Sequence, residues 1–152
     1  MPDVFRGKPF PKDKDGEKEE LQKFFAGTAK LDDRLPEVIE FAKGLKKDNG
    51  FDKVSILGGK LTLLSLASGS PFCCGAIVHP AMIAAEDGEK LSVPLGFYPS
   101  ADVVEKINSA IDVKPFAKQS DFYLYDTVDP ENLKQYEDVY QRLADYFTKV
   151  KC

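Results

Sequence analysis

Two nearly uninterrupted apolar runs most constrain this chain: Cys74-Gly75-Ala76-Ile77-Val78 and Leu91-Ser92-Val93-Pro94-Leu95-Gly96-Phe97-Tyr98. A strand with one face in water alternates apolar and polar residues. A strand covered on both faces does not, so these runs predict parallel strands inside a helix-flanked sheet. A third run, Lys53-Val54-Ser55-Ile56-Leu57, passes directly into Gly58-Gly59-Lys60 and a helix-compatible stretch over 61–67, and a further strand is expected at 122–125. Helices are expected at 83–90, at 101–112 and at 34–48, where Leu35, Val38, Ile39, Ala42 and Leu45 share a face that ends at Asn49-Gly50. The last helix opens on Asp129-Pro130-Glu131 and presents Leu133, Tyr136, Val139, Tyr140, Leu143, Phe147 and Val150 to the core. Residues 7–20, rich in Pro, Gly and alternating charges, read as a surface loop feeding a helix. The fold class is α/β, a mostly parallel sheet flanked by helices, in a single domain over residues 1–152.

With 43% apolar residues, 11 Phe and 6 Tyr, the 152-residue chain has the means to bury a core. A net charge of −4 offers no basic field, so neither nucleic acid nor an anionic membrane surface is an expected partner. No apolar run reaches the roughly 18 to 20 residues of a bilayer span, and the first residues lack the layout of a signal peptide, so a cytoplasmic protein is expected. Three cysteines, Cys73, Cys74 and Cys152, form neither a disulfide framework nor a metal-ligand spacing. The expectation is a reduced protein without metal or cofactor, with Cys73 and Cys74 as buried small residues and Cys152 as a mobile terminal thiol.

In a parallel sheet, sites form beyond the carboxyl ends of the strands. Gly58-Gly59-Lys60 stands there, but it is not a phosphate loop: Leu61 replaces the Ser or Thr, and Val54 occupies the first glycine position. Two glycines that let a helix approach its strand account for the motif. Asp13-Lys14-Asp15-Gly16 likewise fails as a calcium loop, because Pro11 and Gln22 fall at ligand positions. His79, the one histidine, follows a predicted strand, where it serves either as an acid or base near neutral pH or as a turn residue before Pro80. Asp102 follows the next strand, where it either orients a histidine or sits as a first-turn acid favoured by the helix dipole.

Six segments taken in order resemble the dienelactone hydrolase family of the α/β-hydrolase superfamily, its fungal members above all. They are Met1-Pro2-Asp3-Val4-Phe5-Arg6-Gly7, the 34–48 helix with Lys53 to Leu57, Gly58-Gly59-Lys60-Leu61, Ala76 to Met82, Val93 to Asp102, and Tyr136 to Leu143. The resemblance implies a partial α/β-hydrolase fold and a hydrolase of small carboxylic esters or lactones, which in that family works by a Cys-His-Asp triad with the cysteine in a sharp turn. Asp102 matches the triad acid, Arg6 an arginine that binds a substrate carboxylate, and His79 a His-Pro near the site that is not the triad base. The nucleophile is missing: Ile56-Leu57 run straight into Gly58-Gly59, so either Ile56 replaces the cysteine or the elbow itself is deleted. The triad histidine is missing too, since no His follows position 79. The opening strands of the family fold also have no counterpart.

Three functions follow as expectations: a small-ester or lactone hydrolase with impaired or no catalysis, a catalytically silent relative binding a small molecule or protein, or a truncated product. An exposed parallel edge left by the absent strands further suggests a homodimer.

Overall fold

The computed structural model describes residues 3–11, 13, 17–99, 104–125 and 133–152. Elements run α1 (Lys18–Ala26), α2 (Leu31–Asn49), β1 (Ser55–Gly58), α3 (Lys60–Ser65), β2 (Cys74–Val78), α4 (Ala85–Glu89), β3 (Leu95–Tyr98), α5 (Val104–Asp112), β4 (Asp121–Phe122) and α6 (Leu133–Val150). The four strands form one all-parallel sheet in the order β1-β2-β3-β4, an α/β fold as the alternation predicts. The two continuous apolar runs supply the buried inner strands β2 and β3, while β1 is an exposed edge with Leu57 open to solvent. No helix among the described residues is long and apolar enough to cross a membrane.

Successive residues of a strand point to opposite faces, and each face has its own core. Ile77 and Phe97 pack with Val38 and Ala42 of α2, Leu63 and Leu66 around α3, and Ile107 and Ile111 of α5. Cys74, Ala76 and Tyr98 pack on the other face with Val139, Leu143 and Tyr146 of α6. One glycine per face sets how closely a helix approaches. A Cβ on Gly75 would stand 2.6 Å from Leu66 Cδ1, and one on Gly96 would stand 3.0 Å from Tyr146 Cδ1.

Several expectations are corrected in detail. The 91–98 run yields a strand only from Leu95. Ser92 instead ties down the end of α3, its N–H donating to Leu66 O and its hydroxyl to Ala67 O, and Pro94 has no N–H for a ladder. Beyond β4 the pairing direction continues, with Tyr123 N–H donating to Phe97 O and Tyr125 N–H to Pro99 O. Tyr140, expected on the buried face of the last helix, is 68% exposed. The buried stripe runs through Val139, Leu143 and Tyr146, and a step of one residue turns Tyr140 about 100° away from it. The Asp129-Pro130-Glu131 start of that helix lies outside the described residues.

The largest correction concerns the cysteines. Cys152 is neither free nor mobile but disulfide-bonded to Cys73, with Cα atoms 5.8 Å apart across a sequence separation of 79. The expectation of a fully reduced chain fails because folding brings the end of α6 back to the start of β2, a proximity that spacing along the chain does not reveal. Beside the bridge, the Lys53 ammonium donates to the Lys151 carbonyl at 2.5 Å. Closing a loop of this size contributes about 4 kcal/mol through the entropy of the unfolded chain.

Gly75→Ala is expected to cost about 1–3 kcal/mol by overpacking against Leu66. Urea denaturation checks this, and an unchanged midpoint would show that α3 moves aside freely.

Candidate functional site

The carboxyl ends of the strands lie along one edge: Gly58, Val78, Tyr98 and the segment after Phe122. At the first of these the chain turns through Gly58-Gly59 into α3. A Cβ at Gly58 would stand 2.8 Å from Thr62 Oγ1, so a larger residue at the turn's first position would force the Thr62 hydroxyl to move. Lys60, the next side chain, donates from Nζ to Met82 O at 2.6 Å and lies 3.6 Å from Asp87 Oδ2. Asp87 also accepts the Ala84 N–H at 2.9 Å, so it holds both the turn and the start of α4. The residues that make this turn carry neither a thiol nor a hydroxyl. Next to it opens a cleft of about 310 Å³ lined by Phe25, Lys30, Leu31, Asp32, Lys60 and Met82.

His79 closes β2 with φ +44°, a left-handed conformation that an L side chain rarely adopts, and its N–H donates to Tyr98 O at 2.9 Å. Its Nδ1 is buried without a hydrogen-bond partner, and its ring meets the Tyr125 ring edge-on at 5.9 Å. Burial holds the imidazole below its ordinary pKa of 6.5, which keeps it neutral at pH 7. No carboxylate among the described residues hydrogen-bonds to it, so these residues form no acid–histidine pair.

A polar and aromatic cluster continues from His79 along the same edge. The Tyr125 hydroxyl donates to Asp138 Oδ2 at 2.8 Å, and Arg142 Nε donates to the same oxygen at 2.8 Å. The Arg142 guanidinium lies 3.7 Å over the Tyr123 ring, and Tyr123 meets Tyr125 at 4.8 Å. Arg142, followed by Tyr125, holds the Asp138 carboxyl below its ordinary range, while burial and Asp138 raise Tyr125. The cluster therefore pairs an ionised acid with a neutral phenol and fixes α6 against the end of β4.

Arg6 lies elsewhere. It pairs with Glu37 of α2 at 2.5 Å, and Arg34 Nη1 takes the other Glu37 oxygen at 2.7 Å. Among the described residues no hydrogen bond or ring contact joins Arg6 to His79, and Asp102 lies outside the described residues. At the opposite edge of the sheet, burial pushes the Cys74 thiol up to about 11, with the Tyr146 hydroxyl acting the other way. Cys74 is thus a thiol at neutral pH and stands far along the strand from the Gly58 turn, as its position at the start of the run implies.

Sequence reasoning missed the Lys60 cleft and the Tyr125–Asp138–Arg142 cluster. The i, i+4 spacing of Asp138 and Arg142 was the available signal for the second. Comparison of the chain with protein-family models, with curated proteins and with solved structures finds no match in any of the three.

The His79 ring resonances are expected to titrate with a midpoint below 6.5 in proton NMR. The unfolded chain takes up this proton more readily than the folded one. Its contribution to stability is therefore complete above pH 6.5 and is lost as pH falls below that value. A midpoint above 6.5 would mean that an anionic partner faces the ring.

Proposed function

We propose that this chain is a relative of the dienelactone hydrolases that recognises small carboxylic esters, lactones or their carboxylate products, with catalysis impaired or lost. The observation that carries this reading is the Gly58-Gly59-Lys60 turn, which stands where a nucleophile would be presented and presents none. Loss of a nucleophile typically costs about a million-fold in rate. His79, the one histidine, faces an aromatic ring rather than an acid and offers no replacement. The sequential all-parallel sheet supports the partial α/β-hydrolase reading, with β1, the end of β2 and β3 falling within segments of the resemblance in the order the resemblance gives them.

The cleft beside the turn supports retained binding. Phe25, Leu31 and Met82 offer an apolar bed, and the Lys30 and Lys60 ammonium groups, with the Asp32 carboxylate among them, supply donors for a carboxylate or carbonyl oxygen. The Lys60 ammonium is already oriented by Met82 O and Asp87, so a ligand oxygen meets it in a fixed position. The open β1 edge, with Leu57 53% exposed, also fits pairing with a second copy of the chain.

Purified protein is expected to hydrolyse p-nitrophenyl acetate and small lactones no faster than a heat-denatured control, while small aromatic or aliphatic carboxylates raise its Tm. Lys30→Glu should abolish that rise without changing the Tm of the free protein. Turnover well above the control would overturn the loss of catalysis, and a ligand-induced rise unchanged in Lys30→Glu would overturn the cleft.

A further inference from the structure

Three sulfurs meet at the amino edge of the sheet. Cys73 and Cys74 lie at the start of β2, Cys152 arrives from the end of α6, and the three Sγ atoms all lie within 4.8 Å of one another. Cys73 and Cys152 share the disulfide, and Cys74 is a buried free thiol. Next to Cys74 stands Tyr146, 2% exposed, whose hydroxyl interacts with the Cys74 sulfur.

We propose that reduction of the Cys73–Cys152 disulfide converts this cluster into a three-coordinate site for a soft d10 cation, Cu(I). Thiolates select soft ions, and metal–sulfur bonds of about 2.3 Å in a trigonal arrangement set the sulfurs about 4 Å apart. The widest pair in the cluster therefore has to close by less than about 1 Å, while the Cys73 and Cys152 sulfurs, about 2 Å apart when bonded, have to open by about 2 Å after reduction. Cys152 follows the end of α6, and once the bridge is reduced, rotation about its side-chain bonds supplies that movement. Structural zinc asks for a fourth donor, and among the described residues no histidine or carboxylate joins the three sulfurs, which favours Cu(I) over Zn²⁺. In the loaded site the Tyr146 hydroxyl donates to the Cys74 thiolate, a stronger acceptor than the thiol it meets in the free protein, and the Lys53 ammonium beside Lys151 offsets the negative charge.

The chemistry balances with a dithiol as reductant. Two electrons and two protons pass from the dithiol to the Cys73–Cys152 bond, giving two thiols and the oxidised, cyclic disulfide of the reductant. Cu(I) then forms three Cu–S bonds and displaces three thiol protons to solvent.

The test uses the whole chain, reduced with dithiothreitol, desalted under nitrogen and titrated with Cu(I) held as its coloured bicinchoninate complex. The reduced protein is expected to withdraw one Cu(I) per chain, and the disulfide-bonded protein none. Cys152→Ser, at a half-exposed terminal position, should retain the native circular dichroism and lose the uptake. Tyr146→Phe should weaken binding by about 10- to 100-fold, as loss of a hydrogen bond to a metal ligand does. Absence of uptake by the reduced wild type, or equal uptake by the disulfide-bonded protein or by Cys152→Ser, would overturn the site.

Discussion

The structure depends on how α6 is held across one face of the sheet. Residues of this helix supply three of the seven buried residues of that face's core, and they reach it because Gly96 leaves room for the Tyr146 ring. At its far end the helix is bound by the Cys73–Cys152 bridge and by Lys53 on the Lys151 carbonyl. Nearer its start, Asp138 accepts from both Tyr125 and Arg142. The two attachments differ in kind. The bridge limits the unfolded chain, whereas the Asp138 cluster orders the region beyond β3 and β4, where ligands of parallel sheets are bound.

The same fixing of α6 shapes both edges of the sheet. At the carboxyl edge, Tyr125 is drawn towards Asp138 and meets the His79 ring edge-on, which keeps that imidazole among aromatic rather than acidic neighbours. At the amino edge, the end of α6 carries Cys152 to Cys73 and Cys74. One helix therefore holds Tyr125 against the His79 ring at one edge and brings the three sulfurs together at the other.

Much of the fold was legible in the sequence because it is written in local patterns. The uninterrupted runs around Ile77 and Phe97 announced strands buried on both faces, and the spacing from Leu35 to Leu45 announced α2, with Gly50 at φ +69° closing it as Asn49-Gly50 suggested. What escaped was set by tertiary position. The partner of Cys73 lies 79 residues away, Tyr140 differs from the buried Val139 only by a helical rotation, and Arg6 meets Glu37 through the packing of the first residues against α2. Of the site, the position of His79 at a strand end was readable. Its aromatic surroundings and the lysine-rimmed cleft were not, because Phe25, Lys30, Lys60 and Met82 come from separate elements.

The proposed binding of a small ester, lactone or carboxylate at the carboxyl edge, without turnover, can be read from a time series of ¹H–¹⁵N spectra recorded with excess small lactone, following the protein amides and the lactone signals in one sample. Shifts confined to the amides around Lys30–Asp32, Lys60 and Met82 are expected, with the lactone intact throughout. Steady conversion of the lactone to its hydroxy acid, or shifts that bypass those residues, would contradict that proposal.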